Sequence, residues 1–252
     1  IERETGDREW LIVPIIGTWR VEVGDQTFES NRAGGPFAAW PPGSNASAVY
    51  APRGTKFTLV GQGEAVGFSG PAFEDRPAVL IECDDDHPVL RRGSSVWHRD
   101  VITLATPGKT TTNLILGETY SPPGLWSGTP LHVHDNLDCD LGQSDHEEIY
   151  YHLADQAGED DGWSVYAGQF LFDNKGLNRA YVVGHRTAFA IPGAAHPVVS
   201  GPNSAMMYVW CLAAESSHDL AMMDVPNFAW LKGVGEIVDE LSASRPDSLV
   251  LM

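Results

Sequence analysis

Along the first third of the chain, apolar positions come in runs of four to seven residues that are cut by glycine and proline. Runs of that length, bounded by turn-forming residues, predict strands rather than amphipathic helices. Strand-length segments cover Glu9 to Pro14, Gly17 to Val23, Pro36 to Trp40, Ala46 to Ala51, Lys56 to Val60 and Ala65 to Phe68. Gly24-Asp25, Pro41-Pro42-Gly43 and Arg53-Gly54 supply the turns between them. The expected class is all-β, a barrel or a sandwich. A looser stretch from about Gly70 to Arg92, with the acidic run Asp84 to Asp86, reads as a linker to a second strand-rich block that starts near Val96 and runs to about Glu215. The boundaries are therefore set at 1–92, 93–225 and a tail of 226–252. Within the tail, Gly235 to Ser244 carries helical spacing, with Ile237, Val238 and Leu241 on one face.

Composition narrows the function classes. At 252 residues and 42% apolar content the chain can fill a core. Sixteen basic against 34 acidic residues leave a formal charge of −18, which repels a polyphosphate backbone, and no Lys/Arg cluster offsets it. Nucleic acid is not an expected partner. No apolar run reaches the roughly 18 residues of a membrane span, and the N-terminus has no basic-then-apolar pattern. A start at Ile1 rather than Met is what a chain with further N-terminal residues would show. Cys83, Cys139 and Cys211 are widely spaced and form no C-x-x-C pair, which suits a reducing, cytoplasmic setting.

The histidines mark where chemistry would sit. None of the nine precedes His87, while six fall between His132 and His196. In Pro130-Leu131-His132-Val133-His134-Asp135 the two imidazoles are two positions apart, so a strand points both to one face. In Glu147-Glu148-Ile149-Tyr150-Tyr151-His152 the alternation groups Glu148, Tyr150 and His152 on one face. Glu148, directly before the Ile-Tyr-Tyr run, is taken over Glu147. Phe189 to Ile191 is a strand followed by Pro192-Gly193 and then His196. Three imidazoles and one carboxylate from His132, His134, Glu148 and His196 make a site for one divalent ion, zinc or manganese first, with iron or nickel kept open.

The order H-x-H, Glu, strand, P-G-x-x-H resembles the two motifs of the cupin superfamily. Two departures stand out. Thirteen residues, Asp135 to Glu147, separate His134 from Glu148, where the superfamily usually has three or four, which implies an inserted acidic loop containing Cys139. The proline of the second motif, Pro192, is one position late. A narrower resemblance lies in Asn113 to Ser127, which includes Gly117-Glu118-Thr119-Tyr120 and Pro123-Gly124-Leu125-Trp126-Ser127. It continues in Asn178-Arg179-Ala180-Tyr181, His196-Pro197-Val198 and Asp224 to Trp230. Together these look like the 5-deoxy-glucuronate isomerase family of inositol catabolism, related to the uronate ketol-isomerases. That resemblance implies a bicupin of two jelly-roll barrels with a short C-terminal helix, the first barrel without metal ligands, and a sugar-acid substrate. Leu131, Val133, His152, Ala195 and the Met207-Tyr208-Val209-Trp210 strand differ from the family pattern around the pocket.

For an aldose–ketose interconversion, the poor acidity of a C–H bond beside a carbonyl is met by a Lewis acid and a positioned base. Candidates for the base are Glu118, which the family-like segment places beside the metal block, and Tyr150 and His152 on the face of Glu148. A hydride shift would need no base. Among the cations after residue 100, Arg179 is the candidate for the substrate carboxylate, with a salt bridge to the acidic loop as the competing role. Trp126 is the candidate apolar wall for a sugar face. A cupin dioxygenase with a redox metal in the same cage, and a sugar-binding protein without catalysis, are the alternatives. Assembly into a homo-oligomer is left open.

Overall fold

The computed structural model describes residues 1–94, 97–134, 144–155, 166–173, 175–215 and 220–243. The expected all-β class is found, with three main sheets and one helix among the described residues. The first sheet comprises β1 (Glu2–Glu4), β2 (Arg8–Val23), β3 (Gln26–Arg32), β4 (Ser47–Ala51), β5 (Lys56–Pro71) and β6 (Val79–Glu82). Its order is β1-β5-β2-β4-β6, with β3 also on β2.

The segments read as Glu9–Pro14 and Gly17–Val23 are one strand. β2 and β5 pair antiparallel over almost their whole length, with a register shift between Pro14 and Ile16. Proline has no N–H for the ladder, so the punctuation marks a bulge that bends the strand, not its end. Lys56–Val60 and Ala65–Phe68 likewise merge into β5. Pro36–Trp40 is not a strand but a series of turns and bends, with Phe37 packed edge-on against Tyr120 at 5.9 Å between ring centroids. β3 escapes the apolar pattern because its buried positions, Ser30 and Arg32, are polar.

The second six-stranded sheet is built from β7 (Leu90–Arg92), β8 (Arg99–Ala105), β9 (Ile115–Ser121), β12 (His146–Ala154), β15 (Thr187–Ile191) and β17 (Met206–Ala214), in the order β15-β12-β17-β9-β8-β7. β7, which the sequence pattern puts in the linker at the end of the first block, is thus the edge strand of the second block's sheet. The stretch 70–92 also carries β6, paired with β4. A four-stranded sheet of β10 (Trp126–Ser127), β16 (Val198–Ser200), β13 (Ala167–Phe172) and β14 (Asn178–Val183), in that order, covers one side of it. β11 (His132–Val133) pairs with β18 (Met223–Asp224), and α1 spans Leu231–Ala243, longer at its N-terminal end than the spacing indicated. Among the described residues no helix is long and apolar enough to cross a membrane.

The central sheet has two buried faces. On one, Ile102, Leu116, Met207, Val209 and Cys211 pack against Leu11, Val13, Ile15, Tyr50 and Phe68 of the first sheet. On the other, Tyr150, Met206 and Tyr208 pack against Ala167, Leu171, Val183 and Val198. Alternation along each strand decides which face a side chain joins.

The two halves are also joined by buried ions. Arg32 of β3 donates to both oxygens of Glu118 at 2.7 Å, and Tyr120 donates to Glu118 Oε2 at 2.6 Å. Reciprocally, Glu9 of β2 accepts from the backbone N–H groups of Thr112, Asn113 and Leu114, from the Thr112 hydroxyl and from Tyr50.

Candidate metal centre

β11 opens with His132 of the H-x-H segment and His134 directly follows it, and β12 lies beside them because the His146 N–H donates to the His134 carbonyl at 2.7 Å. Along β12, Glu148, Tyr150 and His152 are buried, while Glu147 and Ile149 are exposed. This alternation turns Glu148 inward and Glu147 outward. His196 follows β15 through a tight turn in which Gly193 and Ala194 both have positive φ, 138° and 76°. The structure brings His132, His134 and His196 together, with one ligand atom from each lying within 4.8 Å of the others. Glu148 Oε2 stands 3.2 Å from His134 Nε2 and 3.1 Å from His196 Nε2.

The tautomers follow from the backbone. His132 Nδ1 is 3.1 Å from the Pro130 carbonyl, His134 Nδ1 3.1 Å from that of His146, and His196 Nδ1 2.8 Å from that of Ala194. A carbonyl only accepts, so each Nδ1 carries its proton and each Nε2 presents a lone pair. Gln169 Nε2 donates to the His196 carbonyl at 3.0 Å and steadies that turn from β13. Burial, followed by the neighbouring His196, pushes His132 down to about 4, so it is neutral at physiological pH. Burial alone would push Glu148 up, but the adjoining imidazoles of His134 and His196 outweigh it and hold the carboxyl down at about 2, so it is ionised. Three imidazole lone pairs and an ionised carboxylate turned toward one point repel one another unless a cation lies among them. This donor set, with each imidazole fixed by a partner at its other nitrogen, fits a divalent metal ion.

Around the cluster lie three more buried rings. Tyr150 packs on Tyr208 at 4.4 Å and contacts His152 and His196 at 5.7 and 6.0 Å between centroids. Burial, and then the Glu148 charge, raises the Tyr150 hydroxyl well above its ordinary value. His152 Nδ1 lies 3.3 Å from the Thr187 carbonyl, and burial holds its imidazole down at about 4.

The other sequence candidates are placed elsewhere. Glu118 is not beside the metal group. Tyr150, Trp210 and Gly117 stand in register, as do Tyr151, Val209 and Glu118. Cross-strand partners share a face, so Glu118 projects to the opposite side of the sheet, where Arg32 and Tyr120 saturate it. Arg179 lies exposed on the edge strand β14, donates to the Asn178 carbonyl and makes no ion pair among the described residues. Trp126 stacks on Phe170 at 5.3 Å and lines an apolar cavity of about 330 Å³ with Thr129, Leu131, Pro197 and Phe228. Residues 135–143 of the acidic insertion, Cys139 included, lie outside the described residues.

Two groups near the site escape the sequence pattern. Gln169 is the buried polar residue of β13. Arg99 falls just before the cations after residue 100 among which the counter-charge is expected. The signal for Arg99 was present, since the alternation of β8 sets Arg99 and Val101 apart from the buried Asp100, Ile102 and Leu104.

The sequence profile of the KduI/IolB family matches residues 1–231. A protein named 5-deoxy-glucuronate isomerase from Shouchella clausii is 26% identical, the match covering 86% of this chain and 81% of that one. A protein of the same name from Bacillus subtilis is 25% identical over 77% of this chain and 69% of its own. Among solved structures, an IolB-like protein from Salmonella typhimurium is similar with a TM-score of 0.80, at 24% identity and covering 92% of this chain and 85% of that one. An oxalate decarboxylase from Bacillus subtilis is similar with a TM-score of 0.56, at 13% identity and covering 100% of this chain and 75% of that one.

Proposed function

Because the chain belongs to the KduI/IolB family, we propose that it is a metal-dependent aldose–ketose isomerase acting on 5-deoxy-glucuronate or a closely related sugar acid. The observation that carries this reading is the convergence of His132, His134 and His196 on Glu148, with every Nδ1 proton engaged by a carbonyl. We read the architecture as a bicupin, with residues 1–92 and 93–225 as its two halves and 226–252 as the tail. The first half's strands carry no histidine, which suits a barrel without metal ligands.

His132, His134, Glu148 and His196 would hold the ion, with zinc or manganese the expected metal. When bound, a divalent ion there polarises a carbonyl and its neighbouring hydroxyl, worth several kcal/mol of transition-state charge stabilisation. Tyr150 keeps its proton at neutral pH and so serves as a hydrogen-bond donor toward oxygen. His152 is neutral, so its unprotonated ring nitrogen can take a proton, the role that in general base catalysis contributes about 10²- to 10⁴-fold, and burial weakens it as a base relative to a free imidazole. The packing of Tyr208 and Tyr150 excludes water from both. Trp126, stacked on Phe170, offers an apolar wall in the cavity it lines with Leu131 and Pro197.

The test is to strip the protein of metal, reload it separately with zinc, manganese, iron and nickel, and follow aldehyde loss from 5-deoxy-glucuronate without oxygen. Turnover is expected with at least one metal and is expected to vanish in His132→Ala. Wild-type activity retained in that variant or in metal-free protein would reject the site.

A further inference from the structure

A sugar acid brings a carboxylate into a protein of charge −18, so a positive group must be kept for it. Arg99 has the necessary placement. Val101, two positions on along β8, stands opposite Thr119, Thr119 opposite Tyr208, and Tyr208 opposite His152. Arg99 therefore projects to the same face as the rings around the metal cluster. Its charge acts on the hydroxyls of both Tyr208 and Tyr150, and Tyr150 in turn interacts with Glu148.

Its bonding differs from that of the other inward-facing arginine. Arg32 is neutralised by Glu118. Arg99 uses only Nη1, which donates to the carbonyls of Thr129 at 2.8 Å and Trp97 at 3.2 Å. Among the described residues it meets no carboxylate, and no bond engages Nε or Nη2. Those two N–H groups form one edge of the guanidinium fork, the edge that receives a carboxylate through two parallel bonds. The side chain is largely withdrawn from water, and burial depresses its proton affinity. A cation so placed without a counter-ion is costly. Its cross-strand partner is another cation, Arg92, which strengthens the local positive potential. Room for the fork is reserved by Gly93, where a Cβ would come within 2.8 Å of Arg99 Nη1.

We propose that Arg99 binds the carboxylate of the substrate while the histidine cluster engages the carbonyl end. This inference rests on the isomerase reading for the identity of the substrate. It assigns Arg99 a binding role, with Thr129 and Trp97 as the residues that orient it.

The test compares the acid with its analogue carrying a hydroxymethyl group in place of the carboxylate, in metal-loaded wild type, Arg99→Gln and Arg99→Lys. Calorimetric binding is measured beside turnover, so that failure of the reaction assignment, seen as binding without turnover in wild type, is separable from failure of the Arg99 assignment. Arg99→Gln is expected to weaken binding of the acid by about 30- to 100-fold, the loss of one charge-assisted bidentate pair, and to leave the neutral analogue within a few-fold of wild type. Arg99→Lys, which keeps the charge without the fork and guards against misfolding of the glutamine variant, is expected to recover part of the difference. An acid-to-neutral affinity ratio unchanged in either variant, or equal losses for both ligands, would overturn the proposal.

Discussion

At the scale of single residues, the site depends on which nitrogen of each imidazole is bound to the backbone. The i, i+2 histidines and the choice of Glu148 over Glu147 were legible because a strand's alternation is set by covalent geometry. Glu118 was not, because its partner Arg32 lies 86 residues away on a strand whose inward positions are polar. No local pattern shows such a pairing. His152 permits a pH test. Its imidazole is held at about 4 by burial, against an ordinary value near 6.5, so the unfolded chain binds the proton more tightly than the folded one between those limits. The sign follows: the penalty is absent above about pH 6.5 and grows as the pH falls toward 4. At about 1.4 kcal/mol for each factor of ten in proton affinity, the stability advantage of wild type over His152→Gln in metal-free protein is expected to shrink by roughly 2 kcal/mol between pH 7.5 and 4.5. Urea titrations at the two values check this, and an unchanged gap would mean that the ring is not buried neutral.

At the scale of elements, glycine and proline mark distortions as well as ends. Gly17 on β2 has φ of 105°, and a Cβ there would fall 1.9 Å from the Gln62 carbonyl oxygen of β5. The bend of the longest strand pair therefore needs a residue without a side chain. Gly17→Ala is expected to destabilise the protein by about 2 kcal/mol or more through backbone strain, read as a lowered thermal midpoint with the metal stoichiometry retained. The same logic explains the glycine of Gly117-Glu118-Thr119-Tyr120. Trp210 covers that position, and a Cβ at Gly117 would meet its ring at 2.2 Å. The family-like segment thus carries information about packing on one face of the sheet, while Glu118, the residue expected to do chemistry, belongs to the other.

At the scale of the whole molecule, the two halves exchange buried carboxylates: Glu9 docks into the backbone of 112–114, and Glu118 grips Arg32. The all-β class and the block that holds the histidine cluster were legible from apolar runs and histidine density, but this reciprocal latch was not, since it is made of contacts between distant segments. Glu118→Gln leaves a buried guanidinium without its counter-charge, a change that typically costs about 3–5 kcal/mol. The variant is expected to unfold at markedly lower urea while its folded fraction keeps the wild-type kcat. A loss of turnover with stability intact would instead put Glu118 in the chemistry.

The shared core between the first sheet and the central one has a practical corollary for anyone reshaping this protein. A shortened chain beginning near Arg99 would bare the greasy underside formed by Ile102, Leu116, Met207 and Val209, and such a surface invites aggregation. The first half thus serves its neighbour as a permanent internal chaperone, and variation aimed at new substrates belongs in the loops around the cluster, with the scaffold beneath kept whole.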